Sequence, residues 1–162
     1  MNWIKISFVV LGALVWGLSR QKSFRAEDVP VEGEAQAPTP AEEIDAACRS
    51  GDFQSMQAAL DLPAAAADRH FLLAELIAYA YKHRKSQEMH SNLYAFGRRY
   101  IEELPDFAAA LGSDLPTENK ALKQLAIALA EDRRYEEAVG VCETAMAYGM
   151  EDGTKTGFAG RI

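Results

Sequence analysis

Residues 117–149 read TENKALKQLAIALAEDRRYEEAVGVCETAMAYG and carry the clearest structural pattern in the chain. Apolar residues recur there at intervals of three and four, the spacing of one helix face, at Leu122, Leu125, Ala126 and Leu129. Thr117 is the predicted N-cap, and we expect the helix to end at residues 131–133. A second helix follows, with a predicted inner side at Ala138, Cys142 and Ala145 and an end near Gly149. Because few residues separate the two helices, they must lie antiparallel.

A middle unit repeats this spacing, with Asp68 as its predicted N-cap. The apolar face of its first helix is formed by Ala74, Ile77, Ala78 and Tyr81. Its second helix carries inward-facing residues at Leu93, Tyr94, Gly97, Tyr100 and Ile101. Alanine and leucine dominate, and no stretch alternates apolar with polar residues, so the pattern predicts an all-α fold.

An earlier and less regular unit begins after Pro40. Its first helix has a predicted inner side at Ile44, Ala47 and Cys48. Residues 50–52, Ser-Gly-Asp, form the predicted turn. The second helix, lined by Phe53, Met56 and Leu60, is expected to stop before Pro63.

These units resemble tetratricopeptide repeats, which pair two antiparallel helices in 34 residues. That family places an aromatic residue before the second helix and an alanine three positions later, as Tyr135 and Ala138 do here. Phe53 and Met56 hold the corresponding places in the first unit, and a step of 34 from Phe53 reaches Gln87. The resemblance implies a short solenoid of stacked hairpins over residues 42–150. It also implies a concave groove for a peptide or a partner helix.

The chain departs from that family in the middle unit, where Gln87 replaces the aromatic residue and His90 the small one. From Gln87 to Tyr135 the step is 48, so 14 extra residues intervene. We expect an insertion at residues 104–116, in which Pro105 and the turn at 112–114 bracket a short helix. An irregular helical bundle is the alternative fold.

Composition excludes several classes of function. The 162 residues carry a formal net charge of −7, a sign that repels nucleic acid. Cys48 and Cys142 are 94 positions apart, and neither lies in a metal-binding spacing. The three histidines, His70, His83 and His90, form no metal motif with the acidic residues, and we expect ordinary structural or surface roles for them. Residues 153–157, GTKTG, lack the full phosphate-loop pattern, so we expect a plain turn there.

The first segment, residues 1–25, contains an apolar run over residues 3–18, interrupted by Lys5 and Ser7. The part after Lys5, residues 6–18, is 13 residues long with Ser7 as its only polar residue, whereas a bilayer span needs about 17–20. Arg20, Lys22 and Arg25 follow, and such a cluster resists translocation. We therefore expect a single-pass membrane anchor with the C-terminal domain in the cytoplasm.

Two other interpretations of this segment remain open. Small residues at Gly17 and Ser19 suit a signal peptidase, so a cleaved signal near Ser19 and a periplasmic or secreted domain are the alternative. An organellar targeting segment is the third. Residues 26–41, rich in Pro, Glu and Ala, are expected to form a disordered linker, and residues 151–162 a Gly-rich tail.

No catalytic constellation is visible, so we expect a binding module that is not an enzyme and needs no cofactor and no metal. An enzyme with an unrecognised site is the remaining alternative. A basic cluster with nearby tyrosines suits a protein partner with an acidic segment. An ordinary solvated turn and helix face, with the tyrosines in or beside the core, is the alternative. The candidate partner-binding residues are Tyr81, Lys82, Arg84, Lys85, Tyr94, Arg98 and Arg99.

Overall fold

The computed structural model describes residues 37–162, so the predicted anchor over residues 3–18 and most of the linker lie outside the described range. Six α-helices follow one another: α1 Pro40–Ser50, α2 Phe53–Ala59, α3 Ala66–Lys82, α4 Gln87–Leu111, α5 Lys120–Glu131 and α6 Tyr135–Ala147. Short 3-10 helices occupy Gly112–Asp114 and Phe158–Arg161. Residues 37–162 contain no β-strand, which confirms the all-α class. None of their helices is long and apolar enough to cross a membrane.

The first hairpin is defined by its capping residues. Thr39 and Glu42 cap α1 reciprocally, because the Thr39 side chain accepts from the Glu42 N–H and the Glu42 carboxylate accepts from the Thr39 N–H at 2.7 Å. The helix therefore starts at Pro40, inside the predicted linker. Gly51 ends it with a φ of +65°, and Asp52 caps α2 through the Ser55 N–H at 2.8 Å. The predicted turn at residues 50–52 is confirmed.

The start of α5 differs from the prediction, because its N-cap is Asn119 and not Thr117. The Glu151 N–H donates to the Thr117 carbonyl at 2.6 Å, and the Asn119 N–H donates to the Glu151 carbonyl at 2.8 Å. These two bonds hold residues 117–119 extended beside Glu151. The helix can begin only after them, where the Asn119 side chain accepts from the Leu122 N–H at 2.9 Å.

Two further predictions in the middle of the chain are wrong. Helix α3 begins one turn earlier than expected, so Asp68 lies in its first turn and the N-cap is Ala65. The predicted break at Pro105 is absent, since α4 runs through it for 25 residues. Leu104 and Phe107 beside the proline are fully buried. Their packing outweighs the hydrogen bond that proline cannot make.

The helices form three consecutive hairpins, α1–α2, α3–α4 and α5–α6. Helix α3 also packs against α1 and α5, while α2 contacts α3 and α4 contacts α5. The buried side chains form one hydrophobic cluster that runs through all six helices and includes Phe158 of the C-terminal segment. The predicted inner residues of the last hairpin, among them Leu122, Leu129 and Cys142, belong to it.

Helices α4 and α5 approach closely at Gly97. A β-carbon at this position would lie 2.6 and 2.7 Å from the two methyl carbons of Leu125, nearer than such atoms pack. Leu125 is itself buried, so a β-carbon at residue 97 could be accommodated only if the Leu125 side chain or one of the two helices moved. The missing side chain at residue 97 is therefore what sets the distance between the two helices.

The C-terminal segment folds back on the last hairpin and is fixed by Asp152, which is fully buried. Its carboxylate accepts from the Thr154 N–H at 2.9 Å, from the Thr154 hydroxyl at 2.6 Å and from Arg161. Lys123 of α5 donates to the Asp152 carbonyl at 2.7 Å. Burial alone would raise the pKa of Asp152, but the bonds from Thr154 and Arg161 outweigh it and lower the pKa to about 2.

Replacing Gly97 by alanine should destabilise the protein by about 1 kcal/mol. Overpacking against Leu125 costs roughly 1–3 kcal/mol, and alanine returns up to about 1 kcal/mol of helix propensity. Gly140→Ala in α6 is the matched control, because no atom lies within 4 Å of the place that its β-carbon would occupy. The control should stabilise by up to about 1 kcal/mol. Urea unfolding of both variants tests this, and a stabilised Gly97→Ala protein would contradict it.

Asp152→Asn should lower the free energy of unfolding at pH 7 by roughly 2 kcal/mol, since charge-assisted hydrogen bonds are lost. The folded-state pKa of about 2 lies below the unfolded value of 3.8. The contribution of the carboxylate is therefore present above pH 3.8 and disappears as the pH falls toward 2. Urea unfolding at several pH values should show that the difference in free energy of unfolding between wild type and variant shrinks as the pH falls from 3.8 toward 2. Asp45→Asn is the control, because Asp45 forms an exposed ion pair with Arg49. Its free energy of unfolding should stay close to that of the wild type throughout the series.

Candidate functional site

The structure places the seven candidate partner-binding residues in three separate locations. Four of them lie at the end of α3 and in the turn that follows: Tyr81, Lys82, Arg84 and Lys85. Arg99 lies beside Glu103 on α4. Tyr94 and Arg98 line one groove together. The predicted basic cluster is therefore divided, and a single partner surface can use only part of it.

Arg84 is engaged within the protein. Its guanidinium makes two hydrogen bonds to the Glu131 carboxylate, at 2.9 and 3.0 Å, and lies 3.9 Å from the centre of the Tyr81 ring. The hydrogen bond from Arg84 lowers the pKa of Glu131. This pair joins the α3–α4 turn to the end of α5. Lys82 and Lys85 on either side of it are both exposed.

Arg99 belongs to an ion-pair network in which Glu103 of α4 is shared with Arg69 of α3. Its guanidinium donates to Glu103 at 2.7 Å, and Arg69 of α3 donates to the other oxygen of the same carboxylate at 2.9 Å. Burial raises the pKa of Glu103, but the bonds from Arg99 and Arg69 reverse this and lower it. We assign Arg99 to helix packing.

A groove of about 460 Å³ runs between α4 and α6 over the surface of α5, and we call it the α4–α6 groove. Its floor is apolar and consists of Ile101, Leu125, Leu129 and Val141. Its rim carries both signs of charge, at Arg98, Glu102, Arg134 and Glu137. An apolar floor with a polar rim is the usual composition of a surface that binds another protein.

Tyr94 stands at one end of this groove in a fixed orientation. Its hydroxyl donates to Asp132 at 2.7 Å, and His90 approaches the same carboxylate oxygen at 2.8 Å. The Arg134 guanidinium lies 4.5 Å from the ring centre and is held by Glu137. Burial and the bond to Asp132 raise the pKa of Tyr94 to about 12. The aromatic ring is thus presented rigidly and in its neutral form.

Asp132, Arg134 and Glu137 did not emerge from the sequence as site residues. They lie about 40 positions beyond Tyr94, in the α5–α6 turn and the first turn of α6. The only feature of the sequence that sets these three residues apart is their position near a predicted helix end. Only the packing of one hairpin on the next brings them to Tyr94.

A second and smaller groove, of about 310 Å³, lies between α3 and α5, and we call it the α3–α5 groove. His70, Phe71, Tyr100 and Gln124 are among its lining residues. Phe71 is half-exposed at 50%, unusual for so large an apolar side chain, whereas His70 is only 3% exposed. The groove therefore combines an accessible aromatic ring with a buried imidazole.

His70 lies at the end of a short chain of buried polar groups. The Asn119 side-chain nitrogen donates to the Tyr100 hydroxyl at 2.7 Å, and His70 Nε2 lies 3.5 Å from the same hydroxyl. Burial lowers the pKa of His70, which favours the neutral ring.

Two buried polar atoms of the residues that line this groove lack a hydrogen-bond partner among the described residues. They are His70 Nδ1 and Gln124 Oε1. Leaving such a group unpaired costs about 1–3 kcal/mol, so proteins keep few of them. An ordinary structural role was the expectation for His70, and no local pattern in the chain indicates that it shares a groove with Gln124.

Residues 37–162 give little support to a reactive cysteine, a metal site or a phosphate loop. Burial raises the pKa of both Cys48 and Cys142, which keeps the thiols protonated and unreactive. No group of three or more metal-binding side chains occurs in this part of the chain. Residues 153–157 form a turn organised by Asp152. The short 3-10 helix Phe158–Arg161 follows them, and not the α-helix that a phosphate loop requires.

Comparison with known proteins gives no match: no family model fits the chain, and neither a curated protein nor a solved structure shows significant similarity to it.

Tyr94→Phe should destabilise the protein by about 1 kcal/mol, because it removes the hydrogen bond to Asp132. Tyr79→Phe is the matched control, since the Tyr79 hydroxyl donates to no group among the described residues and its ring stacks on Phe53. The control should change stability by only about a few tenths of a kcal/mol. Equal losses in urea unfolding would show that the Tyr94 hydroxyl does not fix the ring.

Proposed function

We propose that this chain is a membrane-tethered protein-interaction module without catalytic activity of its own. The observation that carries the proposal is the α4–α6 groove, with its apolar floor, its rigid Tyr94 and the charge of Arg98 at its rim. Aromatic and arginine side chains beside an apolar surface contribute much of the energy in protein interfaces. The partner would present an apolar helix or peptide with an acidic residue opposite Arg98.

The helical hairpins support a tetratricopeptide-like stacking. The second helices of the three hairpins start at Phe53, Gln87 and Tyr135, so the first step equals the 34-residue repeat. The 14 additional residues of the second step belong to a lengthened α4 and the segment before α5. Packing of α3 against both α1 and α5 is the arrangement that a continuous stack requires.

The membrane tether rests on the sequence of residues 1–25, which lie outside the described range. Under this proposal the apolar run over residues 3–18 anchors the chain, and the residues that follow link it to the helical domain. The basic residues Arg20, Lys22 and Arg25 favour a cytoplasmic domain. Anchoring would raise the local concentration of the module near a membrane-bound partner.

Site-specific photo-crosslinking in the source cells tests the groove. A photoreactive residue replaces Glu102, which lines the α4–α6 groove, or Asp106, which is exposed one turn further along α4. Both changes remove one negative charge. We expect a discrete adduct from position 102 and on the order of tenfold less from position 106. Equal yields at the two positions would contradict a partner in this groove.

Charge reversal adds a second comparison within the same experiment. Arg98→Glu should weaken the adduct at position 102, whereas Arg49→Glu on the exposed side of α1 should leave it unchanged.

Fractionation with protease protection tests the membrane anchor and reports on which side of the membrane the helical domain lies. A soluble mature chain that begins at Arg20 would replace the anchor by a cleaved signal.

A further inference from the structure

The outer side of α4 exposes a continuous stripe of residues along most of the helix. Exposed residues recur there at intervals of three and four, the spacing of one helix face. At a rise of 1.5 Å per residue, this stripe is about 27 Å long. Four of its residues are compact, and the two long side chains at its centre carry opposite charges. We call it the α4 stripe, and it consists of Ser91, Ala95, Arg98, Glu102, Pro105 and Ala109.

The two central charges of the stripe are not used within the described part of the protein. Arg98 and Glu102 are one helical turn apart, yet no ion pair within residues 37–162 involves either of them. Their neighbours behave differently, because Arg99 pairs with Glu103 at 2.7 Å. Arg98 and Glu102 are therefore available to a partner that presents an acidic and a basic residue one turn apart.

The stripe is complementary to itself when it is read in the reverse direction. If a second α4 lies antiparallel on the first and the contact is centred on residue 100, Arg98 of each copy faces Glu102 of the other. A two-fold contact requires this reciprocity, in which residue i meets residue j and j meets i. The remaining positions bring compact residues together in two further pairs, Ser91 with Ala109 and Ala95 with Pro105.

We propose that the α4 stripe is a dimerisation surface on which a second copy of this chain lies antiparallel. Reciprocal pairing of Arg98 with Glu102 sets the register, since any other register loses both opposite-charge contacts. The compact residues on either side let the two helices approach, and Ile101 of each copy lies close to the two-fold axis, where it adds apolar contact. The stripe itself has no net charge, so two chains of net charge −7 can approach each other there.

This dimer does not rest on the partner proposed for the α4–α6 groove. Arg98 and Glu102 also stand on the rim of that groove, so a second copy on the stripe would compete with the groove partner for them. In the crosslinking experiment, an adduct between two copies would have twice the chain mass of 17.8 kDa. That mass separates it from an adduct with another protein.

Energy transfer between donor-labelled and acceptor-labelled full chains tests the dimer, with the labels at the exposed C-terminus and the protein in mild detergent. Arg98→Glu sets acid against acid across the contact, and Glu102→Arg sets base against base. Each variant alone should therefore associate at least about tenfold more weakly than the wild type. An equal mixture of the two variants restores both opposite-charge pairs and should regain the wild-type affinity to within about threefold.

Two matched controls reverse exposed charges away from the stripe, Arg49→Glu on α1 and Glu136→Arg on α6, and neither should change the affinity. An absence of energy transfer between wild-type chains would overturn the proposal. So would transfer that survives both stripe variants, which indicates association through the micelle or another face, or a mixture that stays as weak as its components. None of these outcomes bears on a crosslink between residue 102 and another protein.

Discussion

The arrangement of the helical body depends on one buried amide, the side chain of Asn119. Its oxygen caps α5, while its nitrogen donates to Tyr100 of α4 and contacts the Met150 sulfur at 3.2 Å. Its backbone N–H pairs with the Glu151 carbonyl. A buried polar side chain is tolerated only when its groups are satisfied, so this residue fixes two helices and the C-terminal segment relative to one another.

From this junction α5 contributes residues to two different grooves. One face supplies Leu125 and Leu129 to the floor of the α4–α6 groove, and the other supplies Ala121 and Gln124 to the α3–α5 groove. The first groove is apolar with a charged rim, whereas the second is lined by residues with two buried polar atoms that lack a partner among the described residues. A single helix of 12 residues thus separates two surfaces of distinct chemistry.

Sequence periodicity was sufficient for the features that depend on near neighbours. The apolar faces of α5 and α6, the turn at Gly51 and the end of α5 near residue 131 follow from spacing and turn chemistry. Features set by distant contacts were missed. Asn119 displaces Thr117 as the cap because Glu151 pairs with the residues before it, and Pro105 remains helical because its neighbours are buried. The same reason explains why the partners of Tyr94 were not anticipated.

The close approach at Gly97 links the interior of the protein to its surface. Leu125, the side chain that a β-carbon at residue 97 would displace, also forms part of the floor of the α4–α6 groove. A larger side chain at residue 97 would therefore either push α4 and α5 apart or push the Leu125 side chain into the groove. We expect substitutions at these two positions to be coupled: a larger residue at 97 should cost less stability alongside a smaller one at 125. Gly97 does not line the groove, yet it limits which side chains can stand at residue 125. It therefore limits how deep the groove can be in related sequences.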